Sequence, residues 1–160
     1  MGELRYDPNI HHRHPIRLPD YQYASKGAYF VTICTHGRIP CFEQPALRTI
    51  LEETWLALPE RFPGLILDEY VMMPDHVHFI VWLNASVTER MTLGKVVGAY
   101  KSLTSVTWLQ HIEMAGLNER GKIWQRNYME HVIRGEGELA RLRDYIRTNP
   151  LRAALKKDSL

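Results

Sequence analysis

The sequence predicts an α+β domain built on a four-stranded antiparallel sheet, closed by a C-terminal helix. Three observations carry that prediction. Four short runs are rich in β-branched and aromatic residues, two long stretches between them repeat their apolar residues at helical spacing, and a third helical stretch follows the last run. The chain has 160 residues, one domain by size and long enough to bury a core.

Residues 1–27 read as a basic N-terminal arm, polar and broken by Pro8, Pro15 and Pro19. From Ala28 the composition changes. Tyr29 to Thr35 is a first strand, and Arg38-Ile39-Pro40 breaks it. Pro45 suits a first helical turn, and Leu47, Ile50, Leu51, Trp55 and Leu58 place a helix over 46–58. Pro59, Pro63 and Gly64 are expected to end it. Leu65 to Met73 and Val77 to Leu83 are two strands joined by a Pro74-Asp75 turn, hence a hairpin. A long helix is expected from Met91 to Met114, with Gly116 as its stop. Ile123 to Ile133 reads as a fourth strand. Gly135 and Gly137 separate it from a last helix over 138–148, which Pro150 limits. The order β-α-β-β-α-β-α is that of a ferredoxin-like split β-α-β unit with an added C-terminal helix. The domain is expected over 28–155, with 156–160 as a tail.

Composition sets bounds on function. Hydrophobic residues make up 45% and charged residues 24%, which argues for a folded domain rather than a disordered chain. A net charge of +2 permits a nucleic-acid partner without demanding one. Two cysteines, Cys34 and Cys41, are too few for a disulfide framework and match no zinc spacing, so reduced thiols and a cytoplasmic setting are expected. The N-terminus has no apolar core of a signal peptide, and no run is long enough to span a bilayer, so no membrane partner is expected.

Three stretches could carry chemistry. In Pro74-Asp75-His76-Val77-His78, strand alternation points His76 and His78 to one face and Val77 to the other. Two imidazoles on one face can share a metal ion. With eight histidines in the chain, spacing alone leaves coincidence as the simpler reading. In the last helix, Tyr145 and Asn149 are four apart and share a face. Alone, Tyr145 is better read as a boundary residue with a wet hydroxyl, and Asn149 as a cap before proline. Arg120, Lys122, Trp124, Gln125, Arg126 and Tyr128 interleave cations with rings, as surfaces for single strands do. An amphipathic edge strand explains them equally well.

Together these residues resemble a known family. Gly27-Ala28-Tyr29-Phe30-Val31-Thr32, Tyr70-Val71-Met72-Met73-Pro74-Asp75-His76-Val77-His78, Ala99-Tyr100-Lys101-Ser102, Trp124-Gln125 and Asp144-Tyr145-Ile146-Arg147-Thr148-Asn149-Pro150 occur in this order. They are similar to the single-tyrosine HUH transposases (histidine, hydrophobic, histidine), most closely to the REP-associated tyrosine transposase branch. The resemblance spans about residues 20–155. It implies a metal-dependent endonuclease and strand transferase acting on single-stranded DNA beside a hairpin, through a 5′-phosphotyrosine. It makes Tyr145 the nucleophile and His76, His78 and Asn149 the ligands of Mg²⁺ or Mn²⁺. DNA contacts are expected from Arg17 in the arm, from Lys101, and from Arg120, Lys122, Trp124, Arg126 and His131. Arg5, Arg13, Arg152, Lys156 and Lys157 are further sources of positive charge. Such a protein acts as a monomer or a homodimer. The rival within the same resemblance is a relative that grips DNA hairpins without cutting them.

Overall fold

The computed structural model describes residues 27–84 and 91–158. Four strands, β1 (Gly27–Cys34), β2 (Leu65–Met73), β3 (His76–Leu83) and β4 (Met129–Ile133), form one antiparallel sheet in the order β2-β3-β1-β4. Helix α1 (Pro45–Arg61) links β1 to β2, α2 (Leu93–Ala115) lies between β3 and β4, and α3 (Glu136–Asp158) follows β4. This is the expected split β-α-β arrangement, with β3 inserted between β1 and β2.

Alternation along the strands builds two different faces. Tyr29, Val31 and Ile33 of β1 and Val77, Phe79, Val81 and Leu83 of β3 turn to one side. There they meet Leu47, Leu51, Trp55 and Leu58 of α1 and Val96, Val97, Tyr100 and Trp108 of α2. Burial of this apolar surface at roughly 25 cal/mol per Å² is the main source of stability. The other side carries Ala28, Phe30 and Ile80, which with Ile133 pack on Leu139, Leu142 and Ile146 of α3.

Helices α1 and α2 have identifiable caps. Gln44 caps α1 by accepting from the Ala46 amide at 2.8 Å, with Pro45 in its first turn. Thr92 caps α2 at the Lys95 amide, and Gly116, left-handed at φ 64°, ends it as expected. Two expected stops are overturned. Pro59 lies inside α1, which runs on to Arg61, and Pro150 lies inside α3, which runs on to Asp158. Proline's φ is helical, so a helix can pass through it at the loss of one hydrogen bond. Gly137 is likewise helical, and Lys156 belongs to α3 rather than to a separate tail. Of the expected 123–133 strand only Met129–Ile133 is sheet, because Ile123 to Gln125 make isolated bonds to the end of β1 and no ladder.

The register breaks once, between Leu67 and Tyr70 of β2, where β3 advances two residues and β2 three. At this bulge Asp68 and Glu69 both reach α3. Asp68 accepts a forked pair of hydrogen bonds from Arg143, at 2.8 and 2.6 Å, and a third from Trp82 at 2.8 Å. Glu69 accepts from Arg147. An unbroken strand would have sent consecutive side chains to opposite faces.

Candidate active site

His76 and His78 stand at the start of β3, on the α3 side of the sheet, with their ring centroids 4.7 Å apart. Val77 between them is fully buried on the opposite side, as alternation requires. Both rings are held through Nδ1. His78 lies opposite Thr32 in the β1–β3 register, and Thr32 Oγ1 is 2.8 Å from its Nδ1. His76 Nδ1 is 2.6 Å from Asp75 Oδ1. Asp75 in turn accepts from Arg38 Nε at 3.0 Å. Partial burial pushes the Asp75 carboxyl up, but His76 and Arg38 outweigh it and hold the carboxyl below its usual range. These contacts fix how each ring is turned.

The tyrosine comes from the other layer. Leu139, Leu142 and Ile146 seat α3 on the sheet, and Tyr145, half-buried beside that stripe, is carried over the histidines. Its ring centroid is 5.5 Å from that of His78 and 6.2 Å from that of Phe30, meeting both edge-on. Phe30 also stacks on His78 at 5.3 Å. The Arg152 guanidinium lies 5.8 Å from the Tyr145 centroid, and an open hollow runs past Arg141, Asp144, Tyr145 and Arg152. The two Arg–carboxylate contacts at the β2 bulge fix the same helix from its other side.

Asn149 is half-buried, one turn beyond Tyr145 on the same helix face. Because α3 continues through Pro150, Asn149 is an interior helical residue and not a cap. Among the described residues no three His, Cys, Asp or Glu side chains are placed to hold a metal together. Two imidazoles and an amide oxygen fit a hard or borderline divalent cation, with positions left over for phosphate and water.

The expected DNA contacts divide. Trp124 is a core residue: it is buried, donates to Thr104 Oγ1 at 2.9 Å, and packs on Phe42 and Tyr100, so it offers no stacking platform. Lys101 spends its ammonium on the carbonyls of Gln125 and Arg126, at 2.6 and 3.1 Å, and its burial lowers the pKa. It clamps a segment where a phosphate contact was expected. His131 Nε2 lies 2.6 Å from the buried carboxylate of Glu138, so its ring ties β4 to α3. Arg120, Lys122 and Arg126 are exposed. Their segment is bonded to the end of β1, His36 N to Ile123 O at 2.8 Å and Gln125 N to Cys34 O at 3.0 Å, and Cys34 is paired with His76. The exposed cations thus flank the histidine end of the sheet. Arg17, with Arg5 and Arg13, lies outside the described residues.

Sequence reasoning missed Thr32, Arg38 and the role of Asp75. Only the adjacency of Asp75 to His76 was visible; Thr32 reaches His78 through strand register, and Arg38 arrives from the loop after β1.

Comparisons with known proteins identify the family and the fold. The family described as "Transposase IS200 like" matches residues 23–149. A Haemophilus influenzae protein of unassigned function is 31% identical over 92% of this chain and 93% of its own length. Among solved structures, a REP-associated tyrosine transposase bound to a REP hairpin superposes with a TM-score of 0.62 at 21% identity, covering 85% of this chain and 74% of that one. A transposase-like protein of Deinococcus radiodurans superposes with a TM-score of 0.52 at 20% identity, covering 82% and 95%. The chain belongs to the IS200-like transposase family and has the fold of a REP-associated tyrosine transposase.

Proposed function

We propose that this protein cuts and rejoins single-stranded DNA beside a hairpin, with Tyr145 as nucleophile and His76, His78 and Asn149 as ligands of Mg²⁺ or Mn²⁺. The observation that carries the reading is the edge-on approach of Tyr145 to His78, 5.5 Å between centroids, within one chain. Nothing in the two elements' sequences alone requires them to meet. Their convergence supports a tyrosine that serves the histidines of its own subunit.

The chemistry follows from the groups present. The Tyr145 phenol loses its proton as its oxygen attacks the phosphorus. The bond from phosphorus to the 3′ oxygen breaks, that oxygen leaves as a 3′-hydroxyl, and the 5′ side remains esterified to tyrosine. A second DNA 3′-hydroxyl reverses the step: it attacks the ester, the phosphorus–phenol bond breaks, and the phenol regains its proton. The ester conserves the energy of the broken bond, so a strand is rejoined without another energy source. A bound divalent cation supplies charge neutralisation at the phosphoryl oxygens. His76 and His78 would hold that cation, and Arg152 places a positive charge beside the attacking ring. The hairpin-bound state of the similar solved structure supports a hairpin partner here, and Arg120, Lys122 and Arg126 supply exposed cations for phosphates.

The test is incubation of labelled hairpin-bearing single strands with Mn²⁺. A covalent protein–DNA adduct is expected for the native chain, none for Tyr145→Phe, and strongly reduced amounts for His76→Ala. Cleavage that persists in Tyr145→Phe would replace this reading with a hydrolytic nuclease. Tight hairpin binding with no adduct under either metal would replace it with a non-cleaving binding module.

A further inference from the structure

Behind the histidines lies an ordered polar arrangement that the proposed reaction does not itself use. Arg38 donates from Nε to Asp75 Oδ2 at 3.0 Å and from Nη1 to Cys34 Sγ at 3.0 Å. Asp75 Oδ1 lies 2.6 Å from His76 Nδ1. Backbone bonds fix the frame: the Thr35 amide donates to the Asp75 carbonyl at 2.9 Å, and the Phe42 amide to the Pro74 carbonyl at 3.1 Å. Arg38 is the only described non-glycine residue with positive φ, at 56°, directly after Gly37 at 67°. A left-handed arginine costs free energy, and such strain persists where the surroundings demand it. Here it delivers the guanidinium to Asp75 from a segment outside the sheet. On the second ring, Thr32 Oγ1 meets His78 Nδ1 from the neighbouring strand.

We infer that Arg38, Asp75 and Thr32 are positioning residues that set both imidazoles to present Nε2 to a single divalent cation. A carboxylate at Nδ1 favours the tautomer with the proton there, which leaves the lone pair on Nε2 and makes it a better donor. A threonine hydroxyl can accept from Nδ1–H to the same effect on His78. Arg38 touches neither ring. It acts through Asp75, by fixing the carboxylate that fixes His76. The inference rests on the metal-binding role proposed above for His76 and His78.

The experiment is calorimetric titration of the full chain with MnCl₂ in the absence of DNA, so that affinity is read without turnover. His76→Ala should abolish binding at this site. Arg38→Ala, Asp75→Ala and Thr32→Val should each weaken Mn²⁺ binding by about 10–100-fold, the usual effect of removing a group that orients a metal ligand. Because Arg38 acts through Asp75, adding Arg38→Ala to Asp75→Ala should change the affinity by less than about twofold, whereas independent structural effects would multiply. The imidazole nitrogen spectrum of the metal-free protein should show His76 protonated on Nδ1, and a mixture of tautomers in Asp75→Ala. Arg38 is half-exposed, so its variant is expected to fold and keeps the test decisive if Thr32→Val does not. Loss of binding in His76→Ala with native affinity in Arg38→Ala and Asp75→Ala overturns the positioning role and leaves the metal site standing. Mn²⁺ binding that survives His76→Ala overturns both.

Discussion

The two faces of the sheet are held by different physics. The face toward α1 and α2 is a continuous apolar core in which Tyr29, Phe79, Tyr100, Leu47 and Leu51 are fully buried. The face toward α3 has a smaller apolar cluster, joined by polar contacts that include Arg143 on Asp68, Arg147 on Glu69 and His131 against Glu138. The proposed nucleophile Tyr145 and the histidines His76 and His78 sit on this second face. The main core and the proposed site are thus separated across one sheet. β3 serves both, with Val77 and Phe79 turned one way and His76 and His78 the other.

Substitutions can break or sharpen that contrast. The largest effect on stability is expected from Phe79→Ala, which opens a hole between Trp55 and Tyr100. It should cost about 3–5 kcal/mol, read from chemical denaturation. Leu142→Ala on the other face should cost about 2–3 kcal/mol, the lower part of the range for such truncations, because its cluster is smaller. It should nevertheless reduce adduct formation more than a Phe79 variant does when both are assayed where they remain folded, since Leu142 seats the helix that carries Tyr145.

Next comes Asp68→Ala, which leaves Arg143 and the Trp82 indole without their acceptor and should cost about 1–3 kcal/mol. The same contact predicts a pH dependence. Partial burial pushes the Asp68 carboxyl up, but Arg143 and Trp82 outweigh it, so the folded value lies below the usual range. A depressed carboxylate contributes stability that is present above its unfolded value and lost as pH falls through the folded one. Acid titration should therefore destabilise the native chain on the acidic side of the ordinary carboxylate range, and Asp68→Asn should flatten that part of the curve. The smallest effect is expected from Glu69→Gln, whose partner Arg147 is largely exposed; its cost should lie between about 0 and 1 kcal/mol and fade in high salt.

Much of the fold was legible because periodicity is a local property. Alternation in 76–83 was enough to put both histidines on one face, and the 3.6-residue spacing of Leu47, Ile50, Leu51, Trp55 and Leu58 was enough to place α1. Pro59 and Pro150 misled because proline's fixed φ is helical: its missing amide and its clash with the preceding turn cost about 3 kcal/mol or more without forbidding a helix. Trp124 and Lys101 misled for another reason. A ring or a cation in a mixed stretch looks the same whether it faces a ligand or its own protein, and only the arrival of Thr104 or of the Gln125 carbonyl decides. The Arg38–Asp75–His76 contact was out of reach for that reason too, because its first two members lie 37 positions apart.

The bulge in β2 shows what an imperfect ladder can be worth. Deleting one residue between Leu67 and Tyr70 would restore even pairing with β3 and give a more regular sheet. The same deletion would leave one carboxylate where two now receive Arg143 and Arg147, and it would turn the neighbours of the survivor to new faces. A sheet optimised for its own hydrogen bonds would thus lose its grip on the helix above it. The irregular strand should tolerate many side-chain changes but few changes of length.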